Sequence, residues 1–209
     1  MQQVYCQQAM ETWTTPTLVG QIVRLEPLRP HHAADLFDAS RDPRVWQWLP
    51  VIQPRTRDDW DAWMAAALER SAAGLELAFA TVSQETGATI GSTRYLALRP
   101  EHRSVEIGWT WITPAAWGAG ANAEAKLLQL EHAFDVLGCR RVEFKTDAKN
   151  ERANPALAGL PAAFEGIHRK HMLVRGGENR DSAWYSVVDD EWPAVRDRLR
   201  ARVASQRTH

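Results

Sequence analysis

The segment 114–126, with the sequence PAAWGAGANAEAK, joins a glycine-containing loop to the start of an amphipathic helix. Gly118 and Gly120 have no Cβ, so the backbone can adopt positive φ values and approach a ligand closely. The free N–H groups of the first helical turn then point toward an anion. Asn122 is the predicted N-cap, and Glu124 is favourably placed in the first turn. The segment therefore predicts a phosphate-binding loop.

The loop by itself is a weak signal, because two glycines before a helix most often form only a tight turn. Its spacing nevertheless excludes two nucleotide-binding motifs. The segment lacks GxxxxGK[ST], and no GxGxxG is followed by an acidic residue about 20 positions further on. A nucleoside triphosphate and a dinucleotide are therefore disfavoured as ligands.

Length and composition indicate one soluble domain. The chain has 209 residues, of which 44% are hydrophobic and 24% are charged. A formal net charge of -1 gives no electrostatic reason to expect nucleic-acid binding. Cys6 and Cys139 are too far apart in sequence for a CxxC site and too few for a disulfide framework. No stretch approaches about 18 apolar residues and segment 1–16 does not resemble a signal peptide, so we predict a cytoplasmic protein without membrane contact.

The order of the elements predicts an α/β fold with a mixed sheet flanked by helices. Three segments with strand patterns are expected to form an antiparallel meander: 75–83, 88–98 and 104–112. The last of these, the loop with its helix, and the alternating segment 141–146 form a βαβ-like unit. A parallel strand pair is therefore expected inside a mostly antiparallel sheet.

Helix signals complete the outline of the chain. Thr56 begins a helix that extends to about residue 73, with Asp59 three residues on in a variant capping box. Asn154 is the predicted N-cap of a short helix with Pro155 at its first position. Segment 190–203 reads as a closing amphipathic helix. From these elements we place the boundaries at a flexible N-terminal tail 1–16, a domain 17–203 and a C-terminal tail 204–209.

Further motifs accompany the loop along the chain. They are Glu106-Ile107-Gly108-Trp109, Trp117 to Asn122 with Glu124-Ala125-Lys126, Asp147 to Arg152, Glu165-Gly166, His171-Met172, and Arg180-Asp181-Ser182 with Tyr185-Ser186. With these motifs the sequence resembles the GNAT acyltransferases, and within them the subgroup related to ribosomal-protein N-terminal (alanine) acetyltransferases. The resemblance runs from about residue 18 to residue 199, and it is far more specific than the loop alone.

The resemblance implies acetyl-CoA as co-substrate and no metal. It places the pyrophosphate on the loop and the first helical turn, which comprise Trp117, Gly118, Ala119, Gly120, Ala121, Asn122 and Ala123. The pantetheine arm would lie between two parallel strands that diverge. Trp111 and Ile112 would end the strand whose backbone pairs with the pantetheine amides. Asn150 falls where the family has a polar side chain beside the cofactor arm.

The sequence departs from the family pattern at three places. Trp117 and Asn122 stand at the first and last positions of the usual Gln/Arg-x-x-Gly-x-Gly/Ala loop. Segment 153–155 replaces a Ser-Arg-Arg-like run, and no tyrosine lies between Asn150 and Phe164, where many members keep a general acid.

Glu106 is the candidate general base for amine acetylation. An α-amino group titrates near 7.7–8.0, so a carboxylate acting through water can complete its deprotonation. In a strand Glu106 points away from Val105 and Ile107, toward the expected position of the thioester. The alternative is a structural role, in which Glu106 is the cross-strand charge partner of Arg94 or Arg103.

Two further steps of the reaction need donors. By analogy with the family, a backbone N–H near Trp111 or Ile112 would polarise the thioester carbonyl. Tyr185 is the candidate that protonates the departing thiolate. A strand tyrosine is more often a packed core residue with a satisfied hydroxyl, so the structural alternative stays open.

Other residue clusters support weaker hypotheses. His31-His32 and the segment 168–171 offer no convincing ligand set for zinc. Four tryptophans could line an acceptor cleft but are more often core residues: Trp46, Trp48, Trp60 and Trp63.

The favoured function is transfer of an acetyl group from acetyl-CoA to a primary amine by direct attack in a ternary complex, with a protein or peptide N-terminus as acceptor. The alternatives are a small-molecule amine, such as an antibiotic or polyamine, and a catalytically silent acyl-CoA-binding module. An open groove between segments 43–60 and 174–180 would favour a peptide, whereas a deep acidic pocket would favour a polycation.

Overall fold

An eight-stranded sheet organises the part of the chain that the computed structural model describes, residues 13–206. The strands are β1 Leu18–Val19, β2 Val23–Pro27, β3 Leu77–Ser83, β4 Thr89–Arg99, β5 Ser104–Ile112, β6 Arg141–Asp147, β7 Ala163–Val174 and β8 Glu178–Val188. Their order in the sheet is β1-β2-β3-β4-β5-β6-β8-β7. Only β5 and β6 pair in parallel, which confirms the predicted mixed fold with one parallel pair in an antiparallel sheet.

Between residues 13 and 206, five α-helices flank this sheet. They are α1 Ala33–Ala39, α2 Arg57–Ala72, α3 Ala121–Glu131, α4 Ala153–Ala158 and α5 Trp192–Gln206. A π-helical turn, His132–Val136, extends α3. Within the described residues, none of these helices has the length and apolar character needed to cross a membrane.

The side chains of β3 show how the two faces of the sheet are filled. Leu77 and Phe79 belong to the larger apolar cluster, which includes residues of α3 and α5. Ala78, Ala80 and Val82 belong to a second cluster with α1, α2 and the tryptophans. This alternation is the period of two expected for a strand that is buried on both faces.

The boundaries of α2 agree with the sequence. Thr56 caps α2, and its hydroxyl accepts a hydrogen bond from Asp59 N–H while the Asp59 carboxylate accepts one from Thr56 N–H. Helix α5 continues to Gln206, past residue 203 where the sequence places the end of the domain. Within the proposed N-terminal tail, residues 1–12 lie outside the described residues, whereas Trp13 packs against the larger apolar cluster.

Two predicted N-caps are wrong. Gly120, with φ of 84°, is the N-cap of α3, so Asn122 lies inside the first turn. The left-handed conformation of Gly120 turns the chain into the helix earlier than a side-chain cap at Asn122 would. Asn154 lies within α4 instead of capping it, and its side-chain amide donates to three backbone carbonyls.

A buried carboxylate attaches the start of α3 to the turn between β1 and β2. The carboxylate of Glu124 accepts hydrogen bonds from the backbone N–H groups of Gln21, Ile22 and Val23, at 2.9, 2.6 and 2.7 Å. Gly20 lies against this carboxylate, and a Cβ there would overlap the Glu124 side chain. Glu124 therefore fixes the helix against the β1–β2 turn.

We expect Glu124→Gln to lower the free energy of unfolding by about 3 kcal/mol, because the amide group turns a donor toward backbone donors. Urea denaturation measures this change. The matched control is Glu131→Gln on the same helix, where the carboxylate pairs with exposed Arg200 at 2.7 Å. That exposed pair should contribute less than about 1 kcal/mol. Equal losses in the two variants would contradict the anchoring role of Glu124.

Candidate functional site

A cleft with a volume of about 470 Å³ opens where β5 and β6 separate. The two strands are paired in register only from Ser104–Arg141 to Glu106–Glu143. Beyond that point residues 107–112 of β5 and 144–146 of β6 form opposite walls of the cleft. Beyond the three paired positions, the backbone N–H and C=O groups of β5 and β6 that face the cleft are therefore not hydrogen-bonded to one another.

A β-bulge in β5 helps to produce this divergence. Ser92 pairs with Trp111 and Arg94 pairs with Gly108, so β5 has one residue more than β4 between these pairs. Trp109 adopts a positive φ of 50° at the bulge. Bulges bend a strand and increase its twist, which accounts for the departure of β5 from β6.

The glycine loop closes one end of the cleft. Gly118 and Gly120 have φ values of 82° and 84°, as the sequence predicts for this loop. The first helical hydrogen bond is donated by Glu124 N–H to Gly120 C=O at 2.9 Å, so the N–H groups of residues 121–123 precede the hydrogen-bonded turns. A Cβ on Gly120 would lie 2.7 Å from Ile22 Cδ1, whereas the space around Gly118 is open.

Cationic side chains surround Trp117 at this end. The Trp117 indole N–H donates to Ile112 C=O at 2.8 Å, which holds the ring at the cleft. The guanidinium of Arg152 lies 3.7 Å from the ring centroid and that of Arg44 lies 5.3 Å away. Burial and the charge of Arg44 both lower the pKa of Arg152. Arg44 is paired with Asp42 at 2.6 Å, whereas Arg152 forms no ion pair within residues 13–206, so Arg152 supplies the uncompensated positive charge for an anion at this end.

Glu106 lies in the cleft wall and is buried, with only 4% of its surface exposed. Val105 and Ile107 face the larger apolar cluster, so Glu106 points away from them as predicted. The structural alternative expected a cross-strand charge partner such as Arg94 or Arg103. Arg94 pairs with Glu76 instead, and the cross-strand partner of Glu106 is Lys145, whose Nζ donates a hydrogen bond to the carboxylate at 3.1 Å. Lys145 comes from β6, and no sequence pattern indicated this contact across the splayed strands.

The other predicted site residues are placed differently. Trp111 and Ile112 line the cleft, although the Trp111 ring packs in the tryptophan cluster. Asn150 also lines it, but its side chain is used internally. Its amide donates to Thr146 Oγ1, and its oxygen accepts from the backbone N–H groups of Arg152 and Ala153 where α4 begins.

Tyr185 is not among the cleft-lining residues. It is buried, and its hydroxyl donates to Asn154 Oδ1 at 3.1 Å. The structure therefore does not bring it together with Glu106. Its proposed role in protonating a thiolate would require the hydroxyl to exchange its present acceptor.

The tryptophans divide between core and cleft. Trp46, Trp60 and Trp63 pack together, with Trp60 and Trp63 stacked at 4.9 Å. Trp48, in contrast, is half-buried and lines the cleft. Of the four tryptophans, Trp48 therefore stands where an acceptor could touch it.

One cluster in the described part of the chain has metal-ligand spacing: Glu26, His31 and His32. His32 Nδ1 accepts from Arg29 N–H, so the ring carries its proton on Nε2, which faces Glu26 at 3.1 Å. A metal ion would need the lone pair on that same nitrogen. Glu26 is also paired with Arg24. The hydrogen bonding therefore does not favour a metal at this cluster.

Lys126 is a cleft residue that the sequence reasoning did not single out. It is buried, and its Nζ donates to Thr110 Oγ1 at 2.6 Å, which in turn contacts Thr93 Oγ1 at 2.8 Å. No carboxylate of residues 13–206 forms an ion pair with it. Burial lowers the pKa of Lys126 to about 7.

This lowered pKa predicts a pH-dependent stability. Above about pH 7 the unfolded chain keeps a proton that folded Lys126 has lost, so the free energy of unfolding rises by about 1.4 kcal/mol per pH unit from this group, until the unfolded lysine also titrates. Lys126→Met removes the contribution. Urea denaturation from about pH 6 to about pH 9 should show that Lys126→Met is more stable than the wild type at the acidic end. The difference in the free energy of unfolding between the two proteins should shrink as pH rises. A difference that is constant across this range would contradict the titration.

Comparisons with known proteins agree with this geometry. Residues 23–159 match the family described as acetyltransferase (GNAT) domain. YoaA of Bacillus subtilis (strain 168), described as an uncharacterized N-acetyltransferase, is 30% identical over 105 residues, which cover 50% of this chain and 58% of YoaA. The aligned region thus spans less than two thirds of that relative.

Solved structures share the fold over most of their length. A GCN5-related N-acetyltransferase from Brucella melitensis is 33% identical with a TM-score of 0.85, covering 92% of this chain and 87% of that one. Mycobacterium smegmatis RimJ, in complex with CoA-disulfide, has a TM-score of 0.75 at 22% identity, covering 89% and 91%. Since the family match extends over more than half of the sequence, the chain belongs to the GNAT acetyltransferase family.

Proposed function

We propose that the protein transfers an acetyl group from acetyl-CoA to a primary amine by direct attack within a ternary complex. The observation that carries this proposal is the cleft between β5 and β6, which has an anion-binding loop at one end and the Glu106–Lys145 pair in its wall. The amine forms the C–N bond as the C–S bond of the thioester breaks, so no covalent enzyme intermediate is needed.

The residues present fit the co-substrate. The N–H groups at the loop and the first turn of α3 would bind the pyrophosphate, assisted by Arg44 and Arg152 beside Trp117. The free backbone edges of β5 and β6 would hold the pantetheine arm, with Trp111 and Ile112 on one wall. The complex of RimJ with CoA-disulfide supports a CoA-containing ligand for this fold.

Glu106 is the proposed base. Lys145 neutralises its buried charge without using all of its acceptor sites, because a carboxylate has two oxygens and about four lone pairs. A water held by Glu106 would take the proton from the attacking amine. Tyr185 stays the predicted proton donor to the departing thiolate.

Charge in the cleft bears on the acceptor. The wall contains Arg44, Lys145, Arg152 and Arg180, which disfavours a polyamine or another polycation. A peptide N-terminus remains the first candidate, because its α-amino group titrates lower than a lysine side chain. The expected open groove is bridged, however: Arg175 N–H donates to Pro50 C=O, and Arg175 Nη1 donates to Leu49 C=O, both at 3.0 Å. A peptide must therefore extend from the cleft in another direction.

Acetyl-CoA affinity should respond to a charge placed on the loop. Gly118 has open space around its Cβ position and a left-handed φ, which Asn and Asp tolerate better than other side chains. Gly118→Asp should weaken acetyl-CoA binding about tenfold relative to Gly118→Asn, because only the carboxylate repels the pyrophosphate. Isothermal titration gives both affinities, and added salt should narrow the difference. Equal affinities of the two variants for acetyl-CoA at low salt would contradict the assignment of the pyrophosphate to this loop.

Turnover tests both the reaction and the base. Thiol release from acetyl-CoA should require an amine when peptides and small amines are supplied, and Glu106→Gln should lower kcat/KM by about 100-fold with little change in acetyl-CoA affinity. The matched control is Glu143→Gln on the paired strand, where the carboxylate contacts Arg99 and Arg141. It should keep near wild-type turnover. Full activity of Glu106→Gln would refute the assignment of Glu106 as the general base. Acetyl-CoA binding without turnover for any amine would support a catalytically silent acyl-CoA-binding module.

A further inference from the structure

Arg180 of β8 is a buried cation without a bonding partner. Its side chain lines the cleft and only 5% of the residue is exposed. Its Nε is enclosed and has no hydrogen-bond partner. Among residues 13–206 no carboxylate lies within ion-pairing distance of its guanidinium. Buried polar groups in proteins are almost always hydrogen-bonded, and a buried unpaired charge is costly.

The two carboxylates whose charge reaches Arg180 already have other cations. Glu106 is bonded to Lys145 at 3.1 Å, and Asp147 lies 3.7 Å from Arg175. Burial lowers the pKa of Arg180, whereas the charges of Asp147 and Glu106 raise it. Arg175 also pairs with the exposed carboxylate of Glu178 at 3.0 Å, so Lys145 and Arg175 each have a bonded carboxylate and the Arg180 side chain has none. One unbonded guanidinium matches a ligand with a single carboxylate.

Arg180 and the glycine loop have different neighbours in the cleft. Arg44 and Arg152 lie at Trp117, where the pyrophosphate is proposed to bind. Arg180 instead is the strand neighbour of Met172, which also lines the cleft, and its charge interacts with Glu106. Since Glu106 is the proposed base, Arg180 lies on the side of the cleft that receives the amine.

We propose that the acceptor is an amine that carries a carboxylate, and that Arg180 binds this carboxylate and orients the amine toward Glu106. This inference rests on the proposed acetyl transfer. A planar guanidinium can hold a carboxylate through two parallel hydrogen bonds, which fixes both distance and direction. The carboxylate can belong to a free amino acid or to an acidic side chain near a peptide N-terminus.

The test compares acceptors with and without this carboxylate, and each kcat/KM is expressed per neutral amine because the carboxylate also raises the pKa of a nearby α-amino group. Free amino acids are assayed beside their carboxamides, and tripeptides with Asp or Glu at the second position are assayed beside those with Asn or Gln. We expect the wild-type protein to prefer the carboxylate member of one of these series by at least about tenfold in kcat/KM. The series that shows the preference identifies the source of the carboxylate.

The variant Arg180→Gln should lose this preference. Its kcat/KM should fall about 30-fold for the carboxylate acceptor and change less than about threefold for the matched carboxamide. The control Arg180→Lys keeps the charge without the planar fork and should retain part of the preference. Acetyl-CoA affinity should stay at the wild-type value in both variants, because the contacts proposed for the co-substrate come from the loop, the start of α3 and the edges of β5 and β6.

Stability separates this role from a structural one. Since the Arg180 side chain makes no hydrogen bond or ion pair within residues 13–206, Arg180→Gln should leave Tm unchanged or raise it. A Tm lowered by several degrees would overturn the inference, as would a wild-type protein that acetylates carboxylate and carboxamide acceptors equally. Equal use of both acceptors would leave the proposed acetyl transfer intact. Failure of the wild-type protein to bind acetyl-CoA would instead refute the proposed function.

Discussion

The site depends on one carboxylate that attaches a helix to the edge of the sheet. Glu124 accepts three backbone hydrogen bonds from residues 21–23 while it lies in the first turn of α3. Gly120, which begins the helix, lies against Ile22 of the same turn. The position of the loop is therefore determined by a contact about a hundred residues away in sequence. A carboxylate bonded to three fixed donors permits little movement of the helix, so the N–H groups before its first turn remain at the cleft.

The second constraint is the short length of the parallel pairing. β5 and β6 share only three register pairs before the bulge at Trp109 carries β5 away. If β5 and β6 were paired along their full length, no backbone N–H or C=O group would be free on the facing edges. If a loop took the place of either strand, these groups would not be held in a row. The splay therefore creates two aligned rows of donors and acceptors inside a sheet that is otherwise closed by antiparallel neighbours. The anchored loop and these rows meet in one cleft.

The sequence predicted the features that local patterns encode. The strand, the glycine loop and the amphipathic helix follow from residue spacing, and the Thr56 cap follows from the position of Asp59. The N-cap at Gly120 was missed because a left-handed glycine can replace a side-chain cap. The sequence analysis named Lys126 and Arg180 only within family motifs, and it gave no role to them or to Lys145, for another reason. Their roles depend on which groups surround them after folding. Sequence periodicity predicts neither a bonding partner on another strand nor the absence of such a partner.

The two ends of the cleft carry positive charge in different ways. At the loop, Arg44 and Arg152 lie at the surface around Trp117, so solvent reduces the free-energy cost of their charges. Arg180, in contrast, is enclosed, and no neighbouring group of the described residues is bonded to its side chain. Replacing such a charge by a neutral side chain would stabilise many folds, so packing alone does not account for an arginine at this position. A bound anion would account for it, because the interaction that is missing in the free protein is gained when the ligand binds. The lack of a bonding partner for the buried guanidinium thus lowers the stability of the free protein. The same lack raises the affinity of the site for a carboxylate.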